Sequence, residues 1–189
     1  MDLVALTEQA AHAALAAGKV IQAGRAGEVT VESKEGGDTY ASQVVTEVDR
    51  KAQDVILGTL EPICEALDLA VLTEESEDDL TRLEKDFFWC IDPMDGTLPF
   101  IRGEPGYSVS IALVAQDGSP QIGVVYDPVH DVLWQATKGE GVRRNEEIWS
   151  PPPWGEVLTF TYDHSFTDRP ERESVLNELE SYARERGLK

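Results

Sequence analysis

Cysteine is almost absent from the chain: Cys64 and Cys90 are the only two, in apolar surroundings, with no CxxC spacing and no histidine beside them. A disulfide framework and a sulfur-rich zinc site are therefore not indicated, and two buried free thiols are expected. Positive charge is scarce as well. With 16 Lys and Arg against 36 Asp and Glu, the formal net charge is −20. Such a field repels a phosphate backbone, so no nucleic acid polymer is expected as a partner. Most of these carboxylates need no role beyond solubility. No apolar run approaches the roughly 20 residues of a membrane span, and Asp2 and Glu8 stand where a secretion signal carries cations. The expected setting is cytoplasmic, with no membrane contact. The three histidines, His12, His130 and His164, lie outside every motif below and read as structural or surface residues. No internal repeat is present.

What the chain does have is enough apolar sequence, 41% over 189 residues, for a globular core. Leu3, Leu6, Ala10, Ala14, Val20 and Ile21 fall close to helical spacing, and Gly24 to Gly27 end that run. Val48, Ala52, Val55, Ile56 and Leu60 define a second helix, followed by Pro62. Strand signals then follow at Ala70 to Thr73, Phe87 to Ile91, Ser108 to Ala115, Gln121 to Tyr126 and Val132 to Thr137. Turn clusters such as Asp117-Gly118-Ser119-Pro120 separate them, as in an antiparallel meander. The predicted class is α+β, with two N-terminal helices packed on a largely antiparallel sheet. Pro151-Pro152-Pro153 is the candidate boundary between a domain at 1–150 and a segment at 151–189. That segment is expected to hold a strand, Val157 to Tyr162, and a helix from Pro170 to Arg186.

Chemistry concentrates in Asp92-Pro93-Met94-Asp95-Gly96-Thr97, directly after an apolar strand. Two carboxylates on a turn stiffened by Pro93 can converge on a hard cation, and the Met94 carbonyl can add an oxygen. An oxygen-only donor set selects magnesium or manganese over zinc. Gly96 leaves room for a ligand against the backbone, and Pro99 suits the first turn of a helix that would face a phosphate. An ordinary Asp-Pro and Asp-Gly turn explains the hexapeptide about as well when it is taken alone. Glu74 and Glu75 end the Ala70 to Thr73 strand, with Glu74 the better ligand candidate, although a solvated acidic loop is the plainer explanation. Asp49 stands three residues after Thr46, a helix-capping arrangement that also lets it reach a cation-bound water.

These three segments, in this order, resemble the inositol monophosphatase superfamily. Its members share an extended Thr-x-x-Asp segment, a Glu-Glu segment and an Asp-Pro-hydrophobic-Asp-Gly-Thr segment. The likeness continues through Gly106 to Leu113, Gly123 to Pro128 and Lys138 to Gly141. The resemblance implies a sugar-phosphatase-like αβαβα fold and a Mg2+-dependent phosphomonoesterase. It implies that Glu74, Asp92, Asp95 and the Met94 carbonyl hold metal. Asp95, Gly96 and Thr97 would meet the phosphate, and Asp49, Glu74 and Thr97 would serve catalysis.

Two departures qualify it. Superfamily members carry a later Trp-Asp motif in a second α/β domain, and here neither Trp149 nor Trp154 is followed by Asp. The expectation is a fold truncated in that domain, with one metal position weakened and part of the substrate pocket missing. Leu98-Pro99 replaces the commoner Thr-Asn and leans towards the 3'(2'),5'-bisphosphate nucleotidase branch. The expected substrate is a small phosphorylated metabolite, either an inositol monophosphate or 3'-phosphoadenosine 5'-phosphate. The expected assembly is a homo-oligomer that covers exposed apolar surface. A non-catalytic metal-binding remnant or interaction module is the alternative. A calcium-binding module fits less well, because the loop lacks the alternating ligands and terminal Glu of an EF-hand.

Overall fold

The computed structural model describes residues 1–25, 31–33, 44–151, 153, 155–161 and 164–188. Helix α1 spans Leu3–Gly24 and is started by Asp2, whose side chain accepts the Ala5 N–H at 3.1 Å. Its buried stripe is mostly small: Ala10, Ala13, Ala14 and Ala17 are fully enclosed. Small side chains let the helix backbone lie close against the sheet. Strands β1 (Val31–Ser33) and β2 (Val44–Thr46) pair antiparallel as a separate ribbon.

Helix α2 spans Glu47–Leu67, well past the end expected at Leu60, with Pro62 inside it. A proline in a helix costs an N–H bond and crowds the preceding turn. Ile63 and Cys64 pack half-buried against the core immediately after it, and that burial carries the helix on. The helix stops at Asp68, which takes a left-handed conformation.

The main sheet has seven strands in sequence order. They are β3 (Ala70–Thr73), β4 (Phe87–Asp95), β5 (Ser108–Ala115), β6 (Pro120–Asp127), β7 (Val132–Thr137), β8 (Gly141–Arg144) and β9 (Glu147–Trp149). β3 and β4 run parallel and every later pairing is antiparallel, so the fold is α+β as the sequence predicts. β8 and β9 were not foreseen. Their turn uses Asn145 and Glu146, both at positive φ, where the usual sequence signal is Asn-Gly.

Alternation sets the two faces of the sheet. Trp89, Ile91, Val109, Ile111, Leu113, Ile122 and Val124 are buried, in one core with the enclosed side chains of α1 and α2. Each large aliphatic side chain so buried contributes roughly 1.5–3 kcal/mol. On the opposite face Val125 and Cys90 are exposed. The expectation of two buried thiols therefore fails: Cys90 falls on the open face by strand alternation, and Cys64 is only half-buried.

Contacts divide the chain into two units, Met1–Trp149 and Ser150–Lys189. In the second, helix α4 spans Arg172–Glu185 after a short 3-10 turn at His164–Asp168. Val157 to Thr161 form no strand, contrary to expectation, and Tyr162 lies outside the described residues. A lone apolar stretch becomes a strand only by pairing, and no described strand in this unit pairs with it. No described helix is long and apolar enough to cross a membrane.

Two glycines give opposite expectations. A Cβ on Gly18 would stand 2.2 Å from a ring carbon of Tyr126. That ring is buried and its hydroxyl donates to Asp131 at 2.9 Å, so it cannot swing aside. A Cβ on Gly58 meets nothing within 4 Å. Urea denaturation should show Gly18→Ala destabilising by about 1–3 kcal/mol through overpacking, and Gly58→Ala stabilising by about 0.5–1 kcal/mol through helix propensity.

Candidate active site

β4 does not end at Ile91 as its apolar run suggests but continues to Asp95. Asp92 pairs with Ser110 while Asp95 pairs with Ser108, so β4 spends three steps where β5 spends two. Residues three apart on a regular strand point to opposite faces. The extra residue of this bulge, at Pro93-Met94, turns Asp95 back towards Asp92. Pro93 has no N–H to lose there. The Met94 N–H, released from the ladder, donates to Asp92 Oδ1 at 3.0 Å.

β3 supplies the next carboxylate. The Glu74 N–H donates to the Ile91 carbonyl at 3.1 Å, which extends the parallel pairing by one residue and brings Glu74 beside Asp92. Asp92 is half-buried, and its carboxyl is pushed up to about 8. Burial is the largest cause, followed by the negative charges of Glu74 and Asp95 and a hydrogen bond with Glu74.

Asp49 enters from the first turn of α2, where it is almost wholly buried. Its Oδ2 accepts from the Thr46 backbone N–H at 2.8 Å and from the Thr46 hydroxyl at 2.5 Å, closing a capping box. Its Oδ1 accepts from the Thr97 hydroxyl at 3.0 Å. The capping role and the site role thus fall to the two oxygens of one carboxylate. Burial raises the Asp49 pKa, while the hydrogen bonds from Thr46 and Thr97 pull against that rise. Thr97 Oγ1 also lies 3.3 Å from the Met94 carbonyl.

Gly96 must be glycine. Its φ is +96°, and a Cβ would stand 2.3 Å from the Gly106 carbonyl oxygen. The loop after helix α3 (Thr97–Arg102) returns to this point, tied down by Arg25, which donates to the Gly103 carbonyl at 2.7 Å and the Tyr107 hydroxyl at 3.1 Å.

The structure therefore forms two groups from the predicted residues: Asp49, Thr97 and the Met94 carbonyl, and Glu74, Asp92 and Asp95. Among the described residues no three acidic, histidine or cysteine side chains close into a cation cage. Like charges draw in only when a cation offsets their repulsion. The oxygen-only donors, and an Asp92 that sheds its proton reluctantly beside two other carboxylates, fit a hard divalent cation. Sequence reasoning missed Gln53 and Arg25. Gln53 left a signal: it lies four residues after Asp49 and three before Ile56, on the buried stripe of α2, where a polar residue needs a partner.

A model of the inositol monophosphatase family matches residues 2–185. The inositol-1-monophosphatase of Synechocystis is 37% identical over 146 residues, covering 76% of this chain and 47% of that protein. The Nus factor SuhB of Escherichia coli K12 is 37% identical over 116 residues, covering 61% of this chain and 42% of that protein. The solved inositol monophosphatase of Thermotoga maritima superposes with a TM-score of 0.64 at 30% identity, covering 78% of this chain and 53% of that one. The chain thus spans about half the length of the curated relatives it matches.

The raised Asp92 pKa has a definite sign for stability. The folded chain holds that proton more tightly than the unfolded chain, whose carboxyl titrates at about 3.9. This contribution is complete below that value and is lost as pH rises through about 8. In EDTA the melting temperature should fall from pH 4 to pH 8, and Asp92→Asn should flatten that slope. Added Mg2+ should raise the melting temperature most at the alkaline end. An identical slope in Asp92→Asn would assign the effect elsewhere.

Proposed function

The chain belongs to the inositol monophosphatase family, and from this we propose that it carries the metal-binding half of a Mg2+-dependent phosphomonoesterase for small phosphate esters. The supporting observation is Asp92, in the bulged end of β4, under the charges of Glu74 and Asp95, while the Met94 carbonyl of the same bulge lies 3.3 Å from the Thr97 hydroxyl that donates to Asp49. In this reading residues 1–150 bind metal and phosphate, and residues 151–189 belong to a second α/β domain. Glu74, Asp92, Asp95 and the Met94 carbonyl hold the cation. When bound, Mg2+ supplies a Lewis acid that makes water more acidic and offsets charge on the phosphoryl oxygens.

The chain's own groups orient the reaction. The Thr97 hydroxyl donates a hydrogen bond to Asp49 Oδ1, so its oxygen lone pairs are free to accept from an attacking water. Burial raises the proton affinity of Asp49 above that of a solvated carboxylate, which suits a group that draws a proton along this path. Asp95, Gly96 and Thr97 meet the phosphate; the Gly106 carbonyl and Tyr107 fill the space beside the Gly96 Cα, so glycine there serves the close fit of the two loops and not room for the ligand. Water oxygen bonds to phosphorus, the ester P–O bond breaks, and the departing alkoxide takes a proton from solvent.

Inositol monophosphates are supported as substrates by the named activity of the Synechocystis relative. 3'-Phosphoadenosine 5'-phosphate is supported by Leu98-Pro99. A cytoplasmic homo-oligomer completes the reading, with exposed Val125 and Ile148 as apolar surface for association. A second reading, a metal-binding interaction module without turnover, is favoured by the Nus factor relative.

Phosphate release from inositol 1-phosphate and adenosine 3',5'-bisphosphate, with and without Mg2+, tests the proposal. Turnover should require Mg2+ and drop by about 100-fold or more in Asp95→Asn, as expected when several kcal/mol of charge stabilisation is removed. Mg2+ uptake with no turnover above that variant would establish the second reading instead.

A further inference from the structure

One face of α2 reaches both halves of the site. Asp49, in its first turn, holds Thr97. Gln53 follows four residues later, so its side chain emerges on the same face one turn along. It is 6% exposed and packs among the apolar stripe of Ala52, Ile56 and Leu60. Both ends of its carboxamide are engaged. Oε1 accepts a close hydrogen bond from the Thr73 hydroxyl, and Nε2 donates to the Ser76 hydroxyl at 2.8 Å. These two partners flank Glu74 and Glu75 on either side. The Thr73 oxygen in turn accepts the Glu75 N–H at 3.2 Å, and the Glu74 N–H is fixed on the Ile91 carbonyl.

We propose that Gln53 is a positioning residue that clamps Thr73 and Ser76 and so fixes the Glu74 carboxylate beside Asp92 for a divalent cation. This inference rests on the metal-binding reading above. A carboxamide suits the position because it both accepts and donates without adding a fourth negative charge to the Glu74, Asp92 and Asp95 group. Burying any polar side chain on this stripe requires partners. The choice of the two residues that bracket Glu74 is what turns a satisfied core amide into a device of the site.

Two variants and two readouts test it on the full chain. Gln53→Ala removes both bonds and the buried volume, whereas Gln53→Met removes both bonds and keeps most of the volume. In metal-free protein, amide hydrogen exchange at residues 73–76 should rise at least about 10-fold in both variants, with β5 and β6 unchanged. Titration with MgCl2 should show affinity weakened about 10–100-fold in both, as for residues that orient metal ligands from behind; wild-type exchange and affinity in Gln53→Met would assign the effect to packing and not to the clamp. Unchanged exchange at 73–76 in Gln53→Ala, or unchanged Mg2+ affinity, would overturn the proposal. If the wild-type chain takes up no Mg2+ while the local exchange effect holds, the metal-binding reading falls and the clamp on the loop stands.

Discussion

Between Asp92 and Asp95 one extra residue in β4 brings two carboxylates to the same side, and the parallel strand β3 adds Glu74 to them. Mutual repulsion opposes that arrangement. It survives in the folded chain because the backbone holding it is tied elsewhere: by seven strands of hydrogen bonding, by Gly96 pressed against the Gly106 carbonyl, and by α2 packed across β4. The local cost appears as a proton that Asp92 retains up to about pH 8. A scaffold that gathers negative charge and keeps it gathered is prepared for a cation.

Much of this was legible from residue order. The apolar alternation of β5, β6 and β7 and the stripe of α1 gave their extents to within about a residue at most ends, because burial on one face imposes a period that few other structures share. The candidate site segments stood out only together, since Asp-Pro-Met-Asp-Gly-Thr alone reads equally as a plain turn, Glu74-Glu75 as an acidic loop and Asp49 as a helix cap; Gly96 does take the positive φ that such a turn asks of a glycine. What escaped were features decided by tertiary packing. α2 runs through Pro62 because Ile63 and Cys64 find the core beyond it. β8 and β9 close through an Asn-Glu turn whose second residue gives no cue, although Asn145 earns its place by accepting from the Leu133 N–H at 2.7 Å. The bulge was invisible as well, since pairing register belongs to two strands at once.

The family assignment and the geometry constrain different things. The family match covers nearly the whole chain and says which proteins it belongs with. The hydrogen bonds of Asp49, Thr97 and Gln53 say how this particular chain would arrange it. Asp49 illustrates the economy of the arrangement: one carboxylate starts a helix with one oxygen and takes part in the site with the other.

Because Asp49 and Gln53 lie on adjacent turns at the same end of α2, both flanks of the site depend on a single short stretch of helix. Fraying of that end releases Thr97 and the Glu74 loop together, while the meander from β5 to β7 keeps its own ladder. The site is thus a cooperative unit smaller than the fold that carries it. If the site takes up a cation, that uptake would be lost on gentle heating before the sheet is, and a probe of overall shape would report an intact protein after the site had come apart.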